Sequence, residues 1–140
     1  MQVFVPYPSP IDVANCLDAK RLHKQILECK QIIAAIGGYG GWLNHPVAKM
    51  YKKHFVWLTY YMQTLVAYRI GAMPVAEEYS RQCDILRPQF LTSAFCDQHK
   101  RRLYTKAPGL YPQFAPFGTS EENWYSIDGI IVKYKNGKKI

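Results

Sequence analysis

Apolar side chains recur every three or four residues through most of the chain, and this period predicts a mostly helical protein. In the first such segment Ser9 can act as an N-cap, Pro10 fills the first helical position, and Gly37 and Gly38 provide a stop. These signals predict one helix from residue 10 to about Ile36. One of its faces carries Leu22, Ile26, Cys29 and Ile33, and another carries Arg21, Lys24, Glu28 and Gln31.

A second long helix is predicted to open at His45 and Pro46 and to end near Ile70, before Gly71. Its inward face is expected to carry Leu58, Tyr61, Met62, Leu65 and Tyr68. Lys49, Lys52 and Lys53 lie near its N-terminal end, where positive charges oppose the helix dipole. An approaching phosphate is one explanation of these lysines, and chance is the other.

The rest of the chain predicts shorter elements. Helices are expected over residues 75–84 and 92–104, followed by an irregular stretch that contains three prolines. Asp128-Gly129 between two β-prone runs predicts a two-residue hairpin over residues 125–132. Residues 2–5 are expected to be extended. The predicted fold is a compact, mostly α, single-domain bundle over residues 1–140, with a basic tail at 133–140 that could be mobile.

Charge narrows the choice of partner. The chain has 18 Lys and Arg against 10 Asp and Glu, a formal net charge of +8. Such an excess favours a polyanion, because neutralising phosphates releases counterions. Several tyrosines and tryptophans are interleaved with the cations, as stacking surfaces for bases require, although most of them are expected to belong to the core.

Other classes of site receive little support. The four cysteines form no CxxC pair and have no histidine at metal-ligand spacing, which predicts neither a metal site nor a redox dithiol. We expect buried thiols in a reducing compartment. The N-terminus lacks the features of a signal peptide, and Thr59, Gln63, Thr64 and Arg69 interrupt the most apolar segment. A cytoplasmic protein without a membrane span, metal or cofactor is therefore predicted.

Five stretches together resemble a known family. They are MQVFVPYPSP, LDAKRLHKQILE, YGGWLNHPVAKMY, HKRRLYTKAPGLYPQF and NWYSIDG, and they extend over nearly the whole chain. The sequence resembles the pyrimidine-dimer DNA glycosylases of the endonuclease V type, particularly their bacterial and phage relatives. The resemblance implies a small, metal-free helical enzyme that binds duplex DNA in the minor groove, bends it and expels a base.

The resemblance also implies a mechanism. In this family the N-terminal α-amine attacks C1′ of the damaged nucleotide and forms an imine, and a glutamate in the first helix assists. An α-amine suits this role because its pKa is near 8, about two units below that of lysine. Met1 would be the nucleophile, since initiator methionine is generally retained before a bulky residue such as Gln2.

The sequence departs from the family pattern at two positions. The characterised enzymes expose a threonine amine, whereas methionine is terminal here. Colinear alignment places the family glutamate near Arg21 to His23, where this chain has no acid. Glu28 lies one to two turns later on the same face as Arg21 and Lys24, so it is nominated as the substitute. His23 is the second candidate.

Further residues are predicted to contact DNA. Arg102 and Lys106 match an R-L-x-x-K pattern of the family, and Trp124-Tyr125 could form a wedge between bases. Each candidate has an ordinary structural alternative. Arg102 and Lys106 could form a solvated helix end, His45 could cap a helix or pack, and Trp124 could belong to the core. The full predicted contact set is Gln2, Arg21, Lys24, His45, Lys49, Lys52, Lys53, Arg101, Arg102, Lys106, Trp124 and Tyr125.

Three functions remain open at this point. The first is a DNA-repair glycosylase with abasic-site lyase activity on damaged or modified bases, using Met1 and Glu28. The second is a non-catalytic DNA-binding module on the same scaffold. The third is an enzyme that acts on modified nucleotides. No heptad repeat suggests a coiled-coil dimer, and a monomer is expected.

Overall fold

A computed structural model describes residues 2–41 and 43–140. Over these residues the chain is mostly helical and closes with a small antiparallel sheet, as predicted. Its elements are α1 (Pro10–Cys16), α2 (Ala19–Ile36), α3 (Pro46–Tyr51), a 3₁₀ turn (Lys52–His54), α4 (Phe55–Arg69), α5 (Met73–Ile85), α6 (Ser93–Lys106), a second 3₁₀ turn (Pro112–Phe117), β1 (Glu122–Ile127), β2 (Ile130–Lys135) and β3 (Lys138–Lys139).

The predicted first helix is two helices. Leu17 and Asp18 are extended, with ψ angles of 138° and 159°, and they separate α1 from α2. The Asp18 carboxylate then caps α2 by accepting a hydrogen bond from the Arg21 N–H at 3.1 Å. The prediction of one continuous helix was wrong because Asp18 was not recognised as an N-cap. α2 does end at Ile36, before Gly37.

The predicted second helix is also interrupted. α3 ends at Tyr51, and the chain tightens into the 3₁₀ turn before α4 begins at Phe55. The two segments pack through aromatic rings on either side of the turn. Tyr51 and Trp57 are stacked, with ring centroids 5.9 Å apart and planes 3° apart, and both side chains are buried. The interruption therefore serves packing that helical periodicity alone does not show.

The C-terminal region contains one more strand than predicted. The hairpin is confirmed, and its turn residues Asp128 and Gly129 have φ angles of 52° and 79°. These positive values fit the tight turn that favours Asp-Gly. A second turn at Asn136 and Gly137, with φ angles of 52° and 75°, adds β3. Residues 130–135 and 138–139 thus pair within the sheet.

The core is one cluster of buried side chains, to which every helix and β1 contribute. Leu58, Tyr61 and Leu65 are buried as expected, whereas Met62 and Tyr68 are half-buried at its edge. α6 begins at the Thr92 cap, whose hydroxyl accepts from the Phe95 N–H at 3.2 Å. All four cysteines are unpaired; Cys29, Cys83 and Cys96 are buried, and Cys16 is half-buried.

Candidate functional site

Residues 2–5, which we call the N-terminal segment, pass through the core without joining a sheet. Val3, Phe4 and Val5 are buried, so their backbone polar groups require partners inside the protein. The Phe4 carbonyl accepts hydrogen bonds from the Tyr61 hydroxyl at 2.6 Å and from Gln25 Nε2 at 3.3 Å. Side chains of α2 and α4 therefore fix the path by which the chain leaves its N-terminus.

His99 of α6 supplies the third anchor of this segment. Its Nδ1 atom accepts a hydrogen bond from the Val5 N–H at 2.6 Å, and its Nε2 atom lies 3.0 Å from the Gln2 carboxamide. Because Nδ1 accepts, the neutral ring carries its proton on Nε2. Only the oxygen of the Gln2 carboxamide can accept that proton, so the carboxamide must turn its oxygen rather than its nitrogen toward His99. Complete burial lowers the pKa of His99 to about 3, so the ring is neutral.

Glu28 lies beside the start of this segment. Its side chain is half-buried, and its Oε2 atom is buried with no hydrogen-bond partner among the described residues. Burial raises the pKa of Glu28, opposed by the charges of Lys24 and Arg21 and by a hydrogen bond from the Gln2 backbone. A carboxylate with a raised pKa and a free oxygen can accept a proton from a substrate.

Cations from two helices surround this carboxylate. Arg21 places its guanidinium carbon 5.4 Å from the centre of the Phe4 ring, while Lys24 is exposed one turn before Glu28. Partial desolvation and the charges of Arg102, Arg21 and Lys24 lower the pKa of Lys106, and Glu28 acts in the opposite direction. Arg21 and Lys24 of α2 and Lys106 of α6 therefore lie close enough to Glu28 to interact with its charge.

Arg102 is fixed more firmly than its neighbours. It is 8% exposed, and it donates from Nε to the Asn123 side chain and from Nη1 to the Ser120 carbonyl, both at 3.0 Å. Glu121 lies 3.5 Å from the same Nη1. These contacts hold α6 against the strand β1 and keep one positive charge close to the site without needing a bound anion.

Tyr125 of β1 and His45 before α3 lie beside each other near Glu28. The Tyr125 ring is buried, and its centroid lies 5.9 Å from that of His45. Burial raises the pKa of Tyr125 to about 12, with Arg102 lowering it and Tyr134 and Glu28 raising it. His45 also caps α3, because its Nδ1 atom accepts from the Val47 N–H at 3.1 Å. Burial lowers the pKa of His45.

A cavity of about 290 Å³ lies between the start of α2 and the end of α6. We call it the α2–α6 cavity. Its lining includes four cations and two apolar side chains beside the Asp18 cap, namely Lys20, Arg21, Lys24, Lys106, Leu103 and Leu110. Tyr111 closes one side and donates its hydroxyl hydrogen to Asp18. Lys24, which precedes Glu28 by one helical turn, also lines this cavity.

A second basic cavity, a groove, lies at the C-terminal end of α3. It has a volume of about 680 Å³ and is lined by the exposed Lys49, Lys52 and Lys53 together with residues 126–129 of the hairpin. We call it the hairpin groove. Lys53 forms an exposed ion pair with Asp128 at 3.5 Å. Lys49 and Lys52 form no ion pair within the described residues.

Other residues that the sequence predicted for the site do not lie beside Glu28. His23 is exposed on a different face of α2, and its Nδ1 atom lies 2.7 Å from Arg69 Nη1. Arg101 donates to the Phe117 carbonyl at 2.9 Å. Trp124 is half-buried on the face of β1 opposite Tyr125, with the Lys133 ammonium 4.5 Å from its ring centre. Met1 lies outside the described residues.

Sequence reasoning missed the residues that hold the N-terminal segment. Gln25 and His99 are fully buried and bind its backbone, but neither was nominated for the site. A signal was present for Gln25, which lies between Leu22 and Ile26 on the apolar face of α2. A polar residue on a buried face needs a hydrogen-bond partner, and that partner is often an irregular segment of backbone. His99 sits among cations, which concealed its burial.

Within residues 2–41 and 43–140 no three histidine, cysteine, aspartate or glutamate side chains are grouped as a metal site would require. Over the same residues no helix has both the length and the apolar character needed to cross a membrane. The chemical groups described around Glu28 are several cations and the rings of His45 and Tyr125.

The fold and site define a small helical protein whose buried N-terminal segment begins beside a carboxylate among cations. Residues 1–68 match the family model of the pyrimidine dimer DNA glycosylases. The match supports the family assignment that the sequence motifs predicted. No curated protein and no solved structure matches the chain significantly. The family is one of DNA glycosylases, so the substrate that it implies is DNA.

Proposed function

We propose that the protein is a DNA N-glycosylase with abasic-site lyase activity, and that the Met1 α-amine is its nucleophile. The family match supports glycosylase activity in general. The amine mechanism is what the family resemblance implies, applied here to Met1 and Glu28. In this proposal the protein acts on a damaged or modified base in duplex DNA, and the family description names the pyrimidine dimer as the lesion.

The observation that carries this proposal is the contact between Glu28 and the backbone of Gln2. Met1 is bonded directly to Gln2, and one residue spans at most roughly 3.6 Å. The terminal amine is therefore within one residue's length of a backbone atom that Glu28 binds. Phe4 and Val5 are fixed by Tyr61 and His99, which restricts where the preceding residues can go.

The electrostatic surroundings suit an amine nucleophile. An α-amine has an ordinary pKa of about 8, and neighbouring cations favour its neutral form. Arg21, Lys24 and Lys106 supply those cations around Glu28. Once the imine has formed, the Glu28 carboxylate is the group available to take the C2′ proton that β-elimination removes.

The DNA contacts extend this proposal over the surface. The α2–α6 cavity and the hairpin groove both present cations, and both would bind the phosphate backbone without reading sequence. His45 and Tyr125 would border the extruded nucleotide. Trp124 remains the candidate wedge, although Lys133 already covers one face of its ring.

Borohydride trapping on a duplex with a single abasic site tests the proposal. The wild type is expected to give a covalent adduct, and a variant with Gly-Ser added before Met1 should give none. Glu28→Gln should bind the duplex within about twofold of wild type but cut at least about 100-fold more slowly, the usual effect of losing a general base.

Glu77→Gln is the matched control for the glutamate, because Glu77 is an exposed acid on α5. It should cut at the wild-type rate. If the extended variant still forms the adduct, the terminal amine is not the nucleophile. If the wild type binds the duplex but forms no adduct, the protein is a non-catalytic binding module or acts on another substrate.

A further inference from the structure

The turn of the β1–β2 hairpin is followed by two exposed isoleucines. Ile130 is 66% exposed and Ile131 is 39% exposed, directly after Asp128 and Gly129. Ile130 pairs across the turn with Ile127, which lines the hairpin groove. Neither Ile130 nor Ile131 belongs to the core cluster, so water solvates their apolar surface unless a partner covers it.

Positive charge borders this apolar turn. Lys49, Lys52 and Lys53 line the hairpin groove together with residues 126–129. The Lys53 ammonium lies 3.5 Å from the Asp128 carboxylate, which offsets the one acid of the turn. A partner of matching chemistry presents apolar surface to the isoleucines and negative charge to the lysines. Duplex DNA has this arrangement, since its stacked bases lie between two rows of phosphates.

The strands below the turn are held firmly. The Tyr125 ring of β1 is buried, and its centroid lies 5.6 Å from that of Tyr134 of β2 in an edge-to-face contact. The Ser126 N–H donates to Met50 Sδ of α3 at 3.1 Å. β1 is therefore attached to the core and to α3, and β2 is attached to β1. A wedge has to be held in this way, since insertion into DNA works against the stacking of the bases.

We propose that Ile130 is a wedge that inserts between adjacent base pairs of bound duplex DNA and unstacks them. This inference rests on the proposed function only in taking DNA as the partner, and it requires neither the terminal amine nor Glu28. Isoleucine is one of the side chains that DNA-bending proteins insert at base steps from the minor groove. Antiparallel strands lie about 5 Å apart and the minor groove is about 6 Å wide, so the end of a two-residue hairpin can enter it.

Trp124, the wedge that the sequence suggested, is less accessible than Ile130. Its Nε1–H donates to the Glu122 carboxylate at 3.0 Å, and the Lys133 ammonium lies 4.5 Å from the centre of its ring. Insertion of the indole between bases would displace Lys133, because each face of an inserted ring stacks on a base. Tyr125 is 3% exposed and belongs to the core. Ile130 can meet a base step while all of these contacts stay in place.

The fluorescence of 2-aminopurine tests the proposal on DNA that cannot form an imine. The duplex contains a tetrahydrofuran analogue of an abasic site with 2-aminopurine as the neighbouring base, whose fluorescence rises when it is unstacked. Saturating wild type is expected to raise this fluorescence. Ile130→Thr keeps the β-branched shape that suits a strand, but it should lose most of the rise and bind about tenfold more weakly. Ile130→Val stays apolar and should keep most of the rise. Neither variant removes a charge, so the salt dependence of binding should stay that of the wild type.

Ile70→Thr is the matched control. Ile70 is 74% exposed and follows the 15-residue helix α4, whose preceding residue His54 lines the hairpin groove. At 1.5 Å per residue, Ile70 is separated from that end of α4 by about 20 Å, and the variant should behave as wild type. Equal rises in wild type and Ile130→Thr would overturn the proposal, as would a loss confined to Trp124→Ala or a wild type that binds without any rise. Borohydride trapping on a true abasic duplex reports separately on the terminal amine, so failure of the wedge and failure of the lyase mechanism are distinguishable.

Discussion

The Val5 N–H donates a hydrogen bond to His99 Nδ1 at 2.6 Å, across 94 residues of sequence. This bond connects the N-terminal segment to α6, the helix that also carries Arg102 and Lys106. The same helix therefore positions both the start of the chain and the cations around Glu28. The pairing can form because the ring is neutral: a protonated imidazole would have no lone pair for the Val5 N–H.

We predict that His99 makes the fold sensitive to acid. Its pKa falls from an ordinary 6.5 to about 3 in the folded protein, so the unfolded chain binds a proton first as the pH drops. The stabilising contribution is complete above about pH 6.5 and is lost progressively toward pH 3. His99→Asn keeps an acceptor for Val5 but cannot titrate. Its melting temperature should fall less between about pH 8 and pH 5 than that of the wild type.

Comparing melting temperatures between about pH 8 and pH 5 also distinguishes the contribution of His99 to stability from that of Asp18. The lowered pKa of Asp18 affects stability mainly below its ordinary value of 3.8. Asp18 therefore stays ionised between about pH 8 and pH 5. Equal losses of melting temperature in the wild type and in His99→Asn would mean that His99 does not account for the acid sensitivity.

Tyr61→Phe is expected to loosen the N-terminal segment. The change removes the hydroxyl that donates to the Phe4 carbonyl at 2.6 Å and that accepts from Gln25 at 3.2 Å. Loss of these buried bonds should cost about 1–3 kcal/mol in the free energy of unfolding, measured by urea denaturation. The yield of borohydride-trapped adduct should fall as well, because the segment leads directly to the proposed nucleophile.

Tyr68→Phe provides the control for that experiment. The Tyr68 hydroxyl also donates a hydrogen bond, to Asn15 at 2.9 Å, but it does so in an exposed position. Its loss should cost less than about 0.5 kcal/mol and leave the adduct yield unchanged. Similar losses of stability in the two variants would show that the buried anchor has no special importance.

Glu28→Gln should reduce activity without reducing stability. Burial raises the pKa of Glu28, so the folded protein holds its proton more firmly than the unfolded chain does. The ionised carboxylate is thus unfavourable to folding, and stability from this group declines as the pH rises through its raised pKa. At neutral pH the variant should melt at the same temperature or higher while losing strand cleavage. A clear decrease in melting temperature would instead indicate a structural role for the carboxylate.

Lys52→Ala tests the hairpin groove as a binding surface for phosphates. Removing one phosphate contact should reduce the slope of log K against log salt by about 0.9, and by the same amount on unrelated duplex sequences. Lys30→Ala removes the same charge outside both basic cavities and should leave the slope nearly unchanged. A slope that changes equally in both variants would contradict a specific role for the groove.

The sequence predicted the helical class, the Asp128-Gly129 hairpin and the cationic face around Glu28, because each is encoded in local periodicity or turn chemistry. It missed the break at Asp18, whose side chain competes with the helix by capping the next one. It also missed β3, since Asn136-Gly137 was not recognised as a second turn.

The candidate site shows the limit of local patterns more clearly. Arg21, Lys24 and Glu28 share a face through helical spacing, which a sequence reveals. Their neighbours Arg102 and Lys106 join them through the packing of α6, and the buried roles of Gln25 and His99 depend on a segment with no regular structure of its own. Such contacts across the fold have no signature at fixed spacing.

The position of the covalent bond in the trapped adduct tests the account most directly. The wild-type protein is trapped with borohydride on an abasic duplex, the DNA is digested, and the protein is cut with trypsin for mass spectrometry. We expect the added deoxyribose remnant on the N-terminal peptide, residues 1–20, at its α-amine. A remnant on Lys106 or another lysine, with an unmodified N-terminal peptide, would contradict the terminal-amine mechanism.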